Sequence, residues 1–123
     1  MASTSQYTMS ETLLKPYELS EDQLASFERD GFLIVRDLLD EDTKRKIQAW
    51  SQEVHDLPYE PGKWMPYEEQ LSDGSRALCR TENFADFHHG FNELFRGKRL
   101  VGVLEQINKE PMVLFKEKIN YKH

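Results

Sequence analysis

Near the C-terminal end of the sequence, Lys116, Lys118, Asn120 and Lys122 recur at every second position. Successive side chains of a β-strand point to opposite faces, so these four share one face, with Leu114 before them. Val113, Phe115, Glu117, Ile119 and Tyr121 share the other face. A row of ammonium and amide groups can hold a dicarboxylate or a phosphate. The same row also suits a solvated face whose lysines keep a sheet edge from pairing with another chain. Residue types alone leave both readings open, the solvated face being the commoner.

The remaining reactive side chains form no such pattern. His88 and His89 are adjacent and diverge on any regular element, while His55 and His123 stand far apart in sequence. A metal site needs a defined ligand count and geometry, so no residue is assigned to a metal and His88 is read as a structural histidine. Cys79 has no base and orienting group to make it a nucleophile, and as a single cysteine it closes no internal disulfide. Gly62 lies in no phosphate-binding pattern. No residue is assigned a catalytic role.

The elements that position these groups are signalled locally. Ser20 with Gln23 three residues on makes a capping box, and Gly31 offers a left-handed C-cap, so residues 21–30 form a short helix with Leu19, Leu24 and Phe27 on one face. Phe32-Leu33-Ile34-Val35 is expected as a buried strand. Asp40 or Asp42 caps a second helix over about 41–56, with Ile47, Trp50, Val54 and Leu57 on its core face, ended at Leu57-Pro58. Pro58, Pro61, Gly62 and Pro66 mark a loop that carries Trp64 and Tyr67, either tacked down by those rings or lining an entrance. Asp73-Gly74 turns between strands over 64–71 and 75–81. A short helix with Phe91, Leu94 and Phe95 follows, then an amphipathic one with Leu100, Val103, Leu104 and Ile107, and residues 112–122 read as a strand. Residues 1–18 read as a flexible polar lead before a single domain over 19–123.

Composition excludes several classes. With 16 Lys+Arg against 22 Asp+Glu the chain is acidic, which argues against a nucleic-acid binder. Its longest apolar runs, such as Phe32 to Val35, are too short to span a bilayer. The first residues lack the basic and apolar regions of a secretory signal, so a cytoplasmic location is expected. Aromatic residues make up 11% of the chain, which argues for a folded core. Oligomeric state is not legible.

Three phrases then carry a resemblance. Leu19-Ser20-Glu21-Asp22-Gln23 with Phe27 to Val35, including Asp30-Gly31-Phe32, looks like the opening of the phytanoyl-CoA dioxygenase family of Fe(II)/2-oxoglutarate-dependent oxygenases. Arg80-Thr81-Glu82-Asn83-Phe84 with His88 is similar to a phrase of one bacterial and fungal branch. Leu114-Phe115-Lys116-Glu117-Lys118-Ile119-Asn120-Tyr121-Lys122 resembles the strand that leads, after a Pro/Gly-rich loop, to the family's iron-binding His-x-Asp motif.

The resemblance covers about residues 19–123. It implies an α+β chain carrying the N-terminal helices and first strands of a double-stranded β-helix, or jelly-roll, whose barrel is incomplete here. The complete domain uses Fe(II) and 2-oxoglutarate to hydroxylate a small organic substrate, through two histidines and a carboxylate on the metal. By resemblance Lys122 is the first choice for contact with 2-oxoglutarate, Asn120 and Lys118 are second choices, and Lys116 faces substrate. Some members place a lysine near the position of Asn83; asparagine here is a departure. The His-x-Asp motif is expected beyond His123, so this chain alone is expected to be inactive and to bind neither cofactor tightly. The alternative expectation is a small non-enzymatic α+β binding or interaction protein derived from the family.

Overall fold

The computed structural model describes residues 10–122. Its elements run α1 (Glu11–Leu14), α2 (Glu21–Asp30), α3 (Glu41–His55), β1 (Met65–Gln70), β2 (Arg76–Glu82), a 3-10 turn (Ala85–Phe87), α4 (His89–Arg96), α5 (Lys98–Asn108) and β3 (Lys118–Asn120). The strands form an antiparallel sheet of order β1-β2-β3 with helices packed on one face, an α+β arrangement as expected. No helix among the described residues is long and apolar enough to cross a membrane.

The local signals fold as their chemistry dictates. Ser20 Oγ accepts from the Gln23 N–H at 3.1 Å, and Gln23 Oε1 accepts from the Ser20 N–H at 2.8 Å, closing the capping box of α2. Gly31 ends that helix at φ 79°, a left-handed conformation that glycine adopts without strain. Of the two candidate caps of α3, Asp40 holds the position: its carboxylate accepts from the Thr43 N–H at 2.8 Å. The 71–75 turn closes with the Leu71 N–H donating to the Ser75 carbonyl at 2.7 Å, and Asp73 accepts from Ser75.

The core gathers Leu13, Trp50, Val54, Trp64, Phe84, Phe91 and Leu94, with Ile47, Leu57 and Ile119 packed against it. The apolar stripe of α3 thus faces the core as its spacing predicts. Gly90 lets α4 approach α3 closely, since a Cβ there would overlap the Trp50 ring. His88 caps α4: its Nδ1 accepts from the Phe91 N–H at 3.2 Å while its Nε2 lies 2.7 Å from Glu53. Those bonds fix the proton on Nε2 and make His88 the structural histidine expected. Trp64 is buried and its indole N–H donates to the Pro58 carbonyl at 2.9 Å, so the Pro-rich loop is pinned at that point.

Three expectations need correction. Residues 32–35 do not form a strand. Phe32 and Ile34 are each 61% exposed while Leu33 and Val35 are half-buried, the alternation of a strand without a partner to bond. The expected strand over 112–122 shrinks to Lys118–Asn120. Its neighbour β2 stops at Glu82, where Asn83 takes φ 58° and turns the chain away, so the ladder has nothing to offer residues 112–117. Finally, the expected lead is structured from residue 10 onward. Leu13 of α1 is fully buried, and buried Ser10 and Thr43 hydroxyls hydrogen-bond each other. The adjacent pair Leu13-Leu14 inside a polar run leaves no periodic signal. Residues 1–9 lie outside the described residues.

Candidate functional site

Strand register sorts the sheet residues onto two faces. Tyr67 pairs with Arg80 and Arg80 with Asn120, a row across all three strands. The next row is Met65, Glu82 and Lys118. The opposite face carries Pro66, Thr81 and Ile119, and there Tyr121 is fixed by donating its hydroxyl to Thr81 at 3.0 Å and by an edge contact with His55. Burial of the Tyr121 phenol, foremost among its influences, pushes its pKa up. That face is turned to the helices, so the first two rows form an open face.

The open face is built around a charged cluster. The Arg80 guanidinium lies over the Tyr67 ring, 4.1 Å from its centroid, and its Nε donates to Glu82 Oε2 at 2.7 Å. Glu82 is nearly buried, and its other oxygen faces Lys116 Nζ at 3.7 Å. Lys118, Asn120 and Lys122 are exposed. The four residues singled out from the sequence are thus brought onto or beside one surface: Lys118 and Asn120 by register, Lys116 by its ion pair with Glu82, and Lys122 by continuing the alternation past Tyr121. Arg80 and Glu82 were not singled out from the sequence as site residues, and Tyr67, read there as a loop residue tacking the loop down or lining an entrance, lies in β1. The available signal was the spacing of Arg80 and Glu82, two apart in a strand and so on one face.

Two concavities border this face. One of about 440 Å³ is lined by Tyr59, Lys63, Trp64, Tyr67 and Asn83, and one of about 220 Å³ by Met65, Glu82, Asn83, Phe115 and Lys116. A cavity of about 630 Å³ lies beyond the opposite face, among His55, Leu57, Pro66, Arg76 and Leu78. The cationic Arg76 there is paired with Glu68 at 3.2 Å and exposed, so the charge pattern favours the open face as the place for an anionic ligand. Among the described residues no group of three His, Cys, Asp or Glu side chains converges on a point that could hold a metal ion.

Comparison with known proteins supplies relatives but no structural template: no protein-family model matches the chain, and no solved structure matches it. A 2-aminoethylphosphonate dioxygenase from an uncultured bacterium is 39% identical over 105 residues, covering 85% of this chain and 40% of the relative. A methylphosphonate hydroxylase from Gimesia maris is 31% identical over the same coverage of 85% and 40%. A protein named dioxygenase lolE1 from Epichloe uncinata is 32% identical over 81 residues, 66% of this chain and 31% of the relative. The chain therefore spans about two fifths or less of the length of these relatives. It is a homologue of these dioxygenases and hydroxylases, in keeping with the N-terminal portion of a phytanoyl-CoA dioxygenase-like oxygenase.

Proposed function

We propose that this chain supplies the N-terminal segment of a non-haem Fe(II)/2-oxoglutarate-dependent oxygenase that hydroxylates a small organic phosphonate. The observation that carries the reading is the open, cationic sheet face in a chain 39% identical to a 2-aminoethylphosphonate dioxygenase. In this reading the three strands are the first of a double-stranded β-helix, and the open face turns toward its interior. Lys122, Asn120 and Lys118 hold the carboxylates of 2-oxoglutarate, and Lys116 faces the substrate. Fe(II) supplies the activation of dioxygen. The described residues offer no ligand set for it, so its ligands are assigned to the rest of the domain.

The role left to these residues is binding and orientation. Ammonium and amide donors on a rigid strand fix a dicarboxylate by charge-assisted hydrogen bonds. The test is to supply the native polypeptide with Fe(II), 2-oxoglutarate and either 2-aminoethylphosphonate or methylphosphonate, and to follow succinate. Succinate release that rises with the phosphonate supports the reading. A chain that folds and binds Fe(II) and 2-oxoglutarate, yet releases no succinate with either phosphonate, fails it as to substrate. A chain that binds neither cofactor leaves the non-enzymatic binding module.

A further inference from the structure

The sequence-derived assignments leave Arg80 without a part, although it is the most constrained cation on the open face. Its ring contact with Tyr67 and its Nε bond to Glu82 fix the guanidinium plane from two directions. Glu82, itself nearly buried, is held on its other oxygen by Lys116. Neither Nη group of Arg80 bonds to any described residue. A guanidinium anchored through Nε and stacked on a ring presents its remaining fork of N–H donors in a fixed direction, with little side-chain entropy left to lose on binding. Arg80, Lys116 and Lys118 outnumber the two carboxylates at this point of the sheet, Glu82 and Glu117, with Glu69 further along the same face.

We infer that Arg80, braced by Tyr67 and Glu82 and flanked by Lys116, is the residue that binds the phosphonate group of the substrate. The inference rests on the oxygenase reading above and deepens it. A phosphonate presents three oxygens and up to two negative charges, which a bidentate guanidinium and a neighbouring ammonium answer together. The carboxylate of 2-oxoglutarate has the same appetite for a guanidinium, and the experiment must separate the two.

The decisive comparison is Arg80→Gln and Arg80→Lys in the native polypeptide. Binding of methylphosphonate to the metal-free protein is read from phosphorus NMR, and KM is measured separately for the phosphonate and for 2-oxoglutarate. Loss of a charge-assisted pair should raise the phosphonate constants about ten- to hundredfold in Arg80→Gln, with partial recovery in Arg80→Lys. The KM for 2-oxoglutarate should stay within about threefold. Arg76→Gln, on the other face, serves as the control and should change neither. Circular dichroism checks folding, and where Arg80→Gln does not fold, Arg80→Lys decides. The inference is overturned if the wild-type protein shows no phosphonate binding, if phosphonate affinity survives in both variants, or if 2-oxoglutarate is the ligand lost. Failure of the oxygenase reading looks different: phosphonate binds through Arg80, yet no 2-oxoglutarate is consumed.

Discussion

At the residue scale, the most specific functional assignment concerns Lys122. Exposed and one step past the Tyr121 N–H that donates to the Cys79 carbonyl at 2.8 Å, it stands at the end of the last ladder bond. In the active native polypeptide, Lys122→Ala should raise the KM for 2-oxoglutarate about tenfold or more, the worth of one charge-assisted bond. An unchanged KM would remove Lys122 from the site. A second residue governs acid stability. Asp40 caps α3 and also accepts from the Thr12 hydroxyl at 2.5 Å, tying α1 to α3. The Thr12 bond first, then the Thr43 hydroxyl and N–H, hold its carboxyl far below the ordinary carboxylate range. A carboxyl depressed in the folded state lends stability that is fully present above its unfolded pKa of about 3.9 and is lost as pH falls below it. Denaturant titrations from neutral pH to about pH 3 should therefore show a shallower loss in Asp40→Asn than in the wild type. Some slope should remain, since Asp56, bonded chiefly by Gln52, and Asp73, bonded by Ser75, are depressed too.

At the element scale, two helical glycines test how tightly the helices dock. Gly102 of α5 has open space where a Cβ would sit, whereas a Cβ on Gly90 of α4 would run into Trp50. Gly102→Ala should stabilise the protein by about 0.5–1 kcal/mol through helix propensity and a less flexible unfolded chain. Gly90→Ala has the same propensity gain but meets overpacking that costs about 1–3 kcal/mol, so the net effect is destabilising. Thermal unfolding of the two variants should move in opposite directions, and a stabilised Gly90→Ala would show that α4 does not pack tightly against the Trp50 ring of α3. The elements also show what the sequence could disclose. The capping box at Ser20, the αL Gly31, the α3 stripe and the Asp73-Gly74 turn are local chemistry, and all were legible. What failed depended on partners distant in sequence. Residues 32–35 have strand composition but no strand among the described residues to pair with, and residues 112–117 lie beyond the end of β2. The open face was half legible, because alternation places Lys118 and Asn120 but only the register with β2 brings Arg80 and Glu82 beside them. The α1 docking was illegible for the same reason: Arg99 on α5 donates to the carbonyls of Lys15, Pro16, Asp37 and Leu38, contacts that no local pattern announces.

At the scale of the whole molecule, the notable feature is apolar surface left open along two extended segments. Phe32 and Ile34 are 61% exposed, Val113 88% and Phe115 96%. Single exposed apolar side chains are ordinary, but alternating ones on segments that pair with no strand among the described residues are the makings of a sheet edge. Relatives of this chain are about two and a half times the matched length, and in the oxygenase proposed above additional polypeptide would cover these segments. It follows that residues 1–123 produced by themselves should associate with one another through the same edges. Sedimentation over a concentration series should show that self-association, and Phe32→Ser combined with Phe115→Ser should suppress it. The double variant should keep the wild-type unfolding midpoint, because substitutions at such exposed positions usually shift stability by no more than about 0.5 kcal/mol. A fall in the midpoint would mean that Phe32 and Phe115 are buried within the chain's own fold. A wild-type chain that stays monomeric at all concentrations would mean that the edges need no cover, and would weaken the view of this segment as one part of a larger barrel.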